Sequence, residues 1–203
     1  MISKLLTLLH SNEVYVGENG IDHSVKLGKP VTDHRMIKPG DTFIAIKGNS
    51  FDGNQFVKDA IGKGASLIVS EEETHHASIL VKDSRKAAAL AAKVFYENPS
   101  SRFKLFGVTG TNGKTTTSLM LFQSFKLLGY FCGWIGTLGY KIDNEDYTTS
   151  HTTPDIIQLN EIFHQMAERG VSHVIMEVSS HALALDRVFG IEFDYCMFSN
   201  LSR

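Results

Sequence analysis

From Phe106 to Thr117 the sequence reads FGVTGTNGKTTT, and residues of these types in this order suit the holding of a phosphate group. Gly110 and Gly113 lack a Cβ, so they permit a tight turn whose backbone N–H groups point inward. Lys114 is long enough to reach the outer phosphates of a nucleotide, and the Thr115 hydroxyl is a hard oxygen donor suited to Mg²⁺. An apolar run, 104–109, precedes the turn and a helical pattern, Lys114 to Leu128, follows it. A buried strand, a turn and a helix N-terminus therefore come in the order that anion binding needs. The common phosphate-loop pattern places a glycine five residues before Gly113, where this chain has Val108. Only positions with positive φ must be glycine, so the loop still reads as Gly110, Thr111, Asn112, Gly113, Lys114, Thr115 and Thr116 around the phosphates of a nucleotide. A solvent-exposed turn ending in a helix N-cap is the plainer alternative.

Other constellations admit two readings each. Glu177 follows the apolar run of 173–176, and a carboxylate at the carboxyl end of a buried strand suits Mg²⁺ or, equally, an Arg or Lys partner. Ser150-His151-Thr152-Thr153-Pro154-Asp155 reads as a helix start with Thr153 as N-cap, Pro154 at the first helical position and Asp155 in the first turn. Such a start also leaves N–H groups and hydroxyls for an anionic ligand. Asp33 and Arg35 form a turn ion pair on the plain reading, and 49–53 a solvated loop. His75 and His76, in the polar run EEETHHAS, read as loop residues, with a metal pair as the alternative.

Positioning these groups calls for an α/β architecture. In the first half, strands are expected over 41–46 and 65–70, with helices near Leu5–Leu9 and over 54–63 and 84–96. A polar Pro/Ser stretch, 96–102, separates these from strands at 104–109, 130–140, 173–178 and 193–198, with helices at 114–128 and 154–169. Strands alternating with helices imply βαβ units and a mostly parallel sheet, whose ligands bind beyond the carboxyl ends of the strands. Domains of 1–100 and 101–203 follow. The domain over 101–203 reads as a P-loop-type sheet left incomplete, because no helix follows its last strand.

The 203 residues are 42% hydrophobic and 21% charged, the balance of a soluble globular protein. A net charge of -2 gives no reason to expect nucleic acid or an anionic membrane as partner. The apolar run near the N-terminus is too short to span a membrane, and a cytoplasmic protein is expected. Cys132 and Cys196 both lie in apolar, aromatic-rich stretches and are expected to be buried thiols in a reducing compartment.

The loop GVTGTNGKTTT resembles that of the Mur ligases, the ADP-forming amide ligases of peptidoglycan synthesis. Folylpolyglutamate synthetases share TGTNGK but typically continue with a small residue and Ser. Thr152 to Asp155 resembles the substrate segment of the members that add the third peptide residue, and MEVSSHALALDR, 176–187, resembles their signature. Thr32-Asp33-His34-Arg35 and KPGDTFIAIKGNSFDGNQF, 38–56, resemble their uridine-binding N-terminal domain. The family usually has Ser where His34 stands, and Leu185 replaces a polar contact, so that role is not carried over. The resemblance implies ATP and Mg²⁺ as cofactors, with Lys114 and Glu177 catalytic and Thr115, Glu177 and His181 at the metal. His181 reads equally as a packed histidine. It further implies UDP-MurNAc-L-Ala-D-Glu as substrate, held by His34, Asn49, Ser50, Phe51, His151, Thr152, Thr153, Ser179 and Arg187. A free amino acid, diaminopimelate or else lysine, would be bound by a domain further along, in a monomeric enzyme. A chain of this extent is then expected not to ligate by itself. A folylpolyglutamate-synthetase-like ligase and a non-catalytic UDP-sugar-binding fragment remain as alternatives.

Overall fold

The computed structural model describes residues 1–203 apart from Val25, Asn49, Ser50, Phe51, Ser150 and Arg203. The expected substrate residues Asn49, Ser50 and Phe51 therefore lie outside the described residues. The chain folds as two units, Met1–Glu97 and Asn98–Arg203. Among the described residues no helix is long and apolar enough to cross a membrane.

The first unit runs α1 (Ile2–Ser11), β1 (Tyr15–Asn19), β2 (Pro30–Val31), β3 (Thr42–Ile44), α2 (Val57–Gly62), β4 (Leu67–Ser70), β5 (Ser78–Val81) and α3 (Ser84–Phe95). Its sheet has the order β1-β5-β4-β3-β2, with β2 to β5 parallel and β1 antiparallel at one edge. Helix periodicity buries Ile2, Leu5, Leu6 and Leu9 on one side of α1. Asp83 caps α3 by accepting from the amides of Arg85 and Lys86.

The second unit runs β6 (Lys104–Thr109), α4 (Lys114–Leu127), β7 (Cys132–Gly136), β8 (Gly139–Ile142), β9 (Glu145–Tyr147), α5 (Ile156–Glu168), β10 (His173–Glu177), α6 (Ser180–Ala184) and β11 (Tyr195–Phe198). Its sheet has the order β11-β6-β10-β7-β8-β9; the first four strands are parallel, and β8 pairs antiparallel with both β7 and β9. The single strand expected over 130–140 is a hairpin, because Thr137 and Leu138 turn the chain between Gly136 and Gly139, which face each other across it.

Alternation along the strands decides what each face of this sheet carries. Val174 and Met176 of β10 join Leu159, Ile162, Phe163 and Met166 of α5 in one core. Ile175, between them, packs on the other face with Trp134 of β7 and Phe122 of α4. Trp134 is fully buried and its indole N–H donates to Ser118 Oγ at 2.9 Å, while Ser118 donates to the Thr115 carbonyl at 3.1 Å. The first turn of α4 is thereby pinned to the sheet. The helix is less one-sided than its apolar pattern suggests, since Met120, Leu127 and Leu128 are exposed.

The cysteines separate. Cys132 is buried in β7 and burial pushes its thiol up to about 11. Cys196, expected to be buried, is exposed, because β11 is the outer strand of the sheet and all four of its residues are exposed. Titration with a chromogenic disulfide is expected to find one reactive thiol per native chain and two in denaturant.

Candidate functional site

The loop after β6 turns through Gly110, at φ +135°, and Gly113, at φ +80°, both conformations that side chains with a Cβ rarely adopt. Gly113 is the N-cap of α4 and supplies no side-chain cap, so the first amides of the helix keep their donor capacity. Lys114 lies back across the loop, its Nζ donating to the carbonyls of Gly110 at 2.7 Å and Thr111 at 3.1 Å. The amides of Thr111 and Asn112, expected to face phosphate, donate instead to Asn200, to its carbonyl at 2.9 Å and its Oδ1 at 3.1 Å. Thr116 is exposed in the first turn.

Glu177 sits one strand away at the carboxyl end of β10, paired in register with Val108. Alternation puts it on the face of Ile175 and therefore on the side of α4. Its carboxylate is fully buried and accepts from Thr115 Oγ1 at 3.0 Å, from the Thr137 amide at 3.1 Å and from Thr137 Oγ1 at 3.1 Å. Among the described residues it pairs with no Lys or Arg. A Cβ on Gly136 would land on this carboxylate and on the Trp134 ring, so the close approach of β10 to β7 requires glycine there.

The donor set fits Mg²⁺. Hydroxyl and carboxylate are both hard oxygen ligands, and neighbouring ligands on an octahedral Mg²⁺ with bonds of about 2.0–2.1 Å stand about 3 Å apart. The Thr115–Glu177 separation of 3.0 Å matches that spacing. The described residues hold no group of three or more His, Cys, Asp and Glu that could bind a metal. His181 lies in the first turn of α6 and is exposed, not packed.

Thr137 is a functional candidate absent from the motifs read in the sequence. It bridges the site, since its Oγ1 also lies 3.4 Å from Thr115 Oγ1 and 3.3 Å from Thr152 Oγ1. Recognising a Gly-Thr-Leu-Gly hairpin turn within 130–140 would have placed it at a strand end.

Thr152 to Arg187 forms a further group of contacts. Thr153 is buried and is not the N-cap of α5; its hydroxyl donates to the Glu177 carbonyl at 3.0 Å and accepts from the Ser179 amide at 3.2 Å. Asp155 caps α5 instead, accepting from the amides of Ile157 and Gln158. Arg187 donates to the Thr153 carbonyl at 2.9 Å, and Ser179 caps α6 by accepting from Ala182. The structure thus brings Thr152, Thr153, Ser179 and Arg187 to the end of β10, while His151 is exposed.

In the first unit, His34 stacks on Phe56 with ring centroids 3.9 Å apart and planes within 5°. Its carbonyl accepts from Lys63 Nζ at 3.0 Å. Asp33 caps this turn and receives the Arg35 guanidinium, whose hydrogen bonds hold the Asp33 carboxyl down at about 2. His75 is exposed and His76 lies 3.4 Å from the Ala65 carbonyl, with no metal group formed among the described residues.

Two family models match the chain: the Mur ligase middle domain over residues 108–203, and the Mur ligase family catalytic domain over residues 32–102. A UDP-N-acetylmuramoyl-L-alanyl-D-glutamate--2,6-diaminopimelate ligase from Clostridium perfringens is 38% identical over 195 residues, 91% of this chain and 40% of the relative. Its counterpart from Cytophaga hutchinsonii is 44% identical over 176 residues, 84% of this chain and 36% of that protein. A solved structure of such a ligase superposes with a TM-score of 0.75 at 27% identity, covering 90% of this chain and 39% of its own. The chain spans about two fifths of the length of these relatives.

Proposed function

The chain belongs to the Mur ligase family, and on that premise we propose that it is the nucleotide- and UDP-sugar-binding part of an ATP-dependent ligase. The whole enzyme would add diaminopimelate to UDP-MurNAc-L-Ala-D-Glu, as the relatives at 38% and 44% identity are named for doing. The observation that carries the reading is the meeting of Thr115 and Glu177 at 3.0 Å beside an uncapped helix N-terminus. In ligation, ATP would transfer its outer phosphate to the D-Glu carboxylate, and the amine of the incoming amino acid would displace it. Lys114 and the amides from Gly113 onward would hold the β- and γ-phosphates, and Thr115 and Glu177 would hold the Mg²⁺ that neutralises their charge. Thr152, Ser179 and Arg187 would orient the sugar-peptide at the same strand ends, with the buried Thr153 bracing Ser179 and Arg187, and positioning would supply much of the rate. His34, on its Phe56 stack, would lie in the uridine segment of the first unit.

Binding tests this reading. Calorimetric titration of the chain with Mg-ATP and, separately, with UDP-MurNAc-L-Ala-D-Glu is expected to give saturable heats for both. Failure of Mg-ATP to bind overturns the nucleotide site; failure of the sugar-peptide alone leaves a nucleotide-binding unit of another amide ligase. A finer expectation concerns Thr137→Val, which deletes one of the hydroxyl donors to Glu177. It should weaken Mg-ATP binding by about 5–10-fold, about 1–1.4 kcal/mol and in line with one lost hydrogen bond of ordinary strength, and Thr137→Ser should restore it.

A further inference from the structure

The segment after β11 carries none of the motifs that mark the phosphate loop, yet hydrogen bonds tie it to that loop from Thr109 to Asn112. β11 and β6 are parallel neighbours, and their pairing continues past both strand ends: the Ser199 amide donates to the Thr109 carbonyl at 2.8 Å, and the Thr111 amide to the Asn200 carbonyl at 2.9 Å. Beyond that, side chains take over. Asn200 grips Asn112 with both ends of its amide, Oδ1 accepting from the Asn112 N–H at 3.1 Å and Nδ2 donating to the Asn112 carbonyl at 2.9 Å. Ser199 Oγ donates to the same carbonyl at 2.8 Å. Thr111 Oγ1 accepts from the Ser202 amide at 3.1 Å, and Asn112 Nδ2 donates to Ser202 Oγ at 3.1 Å. The glycine at 110 has another cause here. A Cβ at that position would meet the Asn200 carbonyl at 2.9 Å and its nitrogen at 3.0 Å, so the loop glycine admits the strap as well as the positive φ.

We propose that Ser199 to Ser202 is a strap that fixes the phosphate loop before nucleotide arrives, and that Asn200 is the positioning residue through which it acts. An open turn of small residues would otherwise sample many conformations, and a phosphate would have to order it on binding. A turn already held in one conformation avoids that loss and gives higher affinity. The strap consumes the amides of Thr111 and Asn112, so it also assigns phosphate recognition to the amides from Gly113 onward. Coupling is reciprocal: whatever orders the strap strengthens nucleotide binding, and nucleotide in turn orders the strap. The inference rests on the nucleotide site proposed above, but its first consequence needs no nucleotide.

The test compares the wild-type chain with Asn200→Ala and Ser202→Ala. Amide hydrogen exchange without nucleotide is expected to quicken at Asn112 by at least about tenfold in Asn200→Ala and less in Ser202→Ala, with a smaller change at Thr111, whose acceptor is the main-chain carbonyl of residue 200. Exchange at Trp134 and Ile175, in the core behind α4, should stay unchanged, which separates the strap from general loosening. Calorimetry is then expected to give Mg-ATP affinity lowered at least about tenfold in Asn200→Ala. Unchanged loop exchange in Asn200→Ala overturns the strap. Equal or tighter Mg-ATP binding with quickened exchange overturns the positioning role, because the strap would then be competing for loop amides. If the wild-type chain binds no Mg-ATP the functional proposal falls, while the exchange result still decides whether the strap orders the loop.

Discussion

Lys114→Ala is expected to reduce Mg-ATP affinity by about 10–150-fold, with the fold intact. The range follows from a lost hydrogen bond to a charged group, worth about 1.5–3 kcal/mol. The Lys114 ammonium already faces oxygen, since its Nζ holds the Gly110 and Thr111 carbonyls at 2.7 and 3.1 Å. A phosphate entering the loop would exchange those neutral acceptors for charged ones, which make hydrogen bonds roughly twice as strong. The side chain is half-buried and its ammonium bonds only to carbonyls of its own loop among the described residues, so its loss should leave the melting temperature within a few degrees. Lys114→Arg should not rescue binding, because a planar fork cannot occupy the space of a compact ammonium beneath two carbonyls. Calorimetric titration and thermal melting of the variants check both halves; full affinity in Lys114→Ala would remove the lysine from the phosphate site.

How much of this site the sequence revealed depended on distance along the chain. Strand, turn and helix from Lys104 to Leu127 were legible because hydrophobic pattern and glycine placement act locally. The α/β order was legible for the same reason. Thr153 was not, because a Thr-Pro-Asp start looks locally like an N-cap at the threonine. The actual cap is Asp155, and Thr153 is drawn inward by the Glu177 carbonyl, 24 residues away. Thr137 was hidden by reading 130–140 as one strand, since the apolar run Cys132 to Ile135 gives no hint that the chain reverses after Gly136. The strap on Asn112 comes from pairing between β6 and β11, whose residues are about 90 apart, and no local pattern encodes such a partner. The short edge strands β1 and β2 escaped because each buries little and owes its conformation to a neighbour.

The residue with the largest separation between stability and function is Glu177, and Glu177→Gln should expose it. A fully buried carboxylate is expensive unless a cation or several donors compensate it. Here the compensation is three hydrogen bonds, from Thr115 Oγ1, the Thr137 amide and Thr137 Oγ1, with no Lys or Arg paired to it among the described residues. Glutamine keeps the shape; with its Oε1 on the oxygen that takes the Thr137 amide, that bond is kept, and its NH₂ faces the Thr115 and Thr137 hydroxyls, which can turn to accept. The variant should therefore fold at least as stably as the wild type, with a melting temperature equal or a few degrees higher. Its metal response should collapse. In the wild type, raising Mg²⁺ from nil to millimolar is expected to tighten ATP binding at least about tenfold; in Glu177→Gln that gain should fall to about twofold or less. The amide carries no charge to offset Mg²⁺, leaving the Thr115 hydroxyl and water as neutral ligands. Stability gained where function is lost is the pattern of a group kept for binding and not for folding. A Glu177→Gln chain that melts well below the wild type and keeps its Mg²⁺ dependence would make Glu177 a structural acceptor for the Thr137 turn and leave the metal to other ligands.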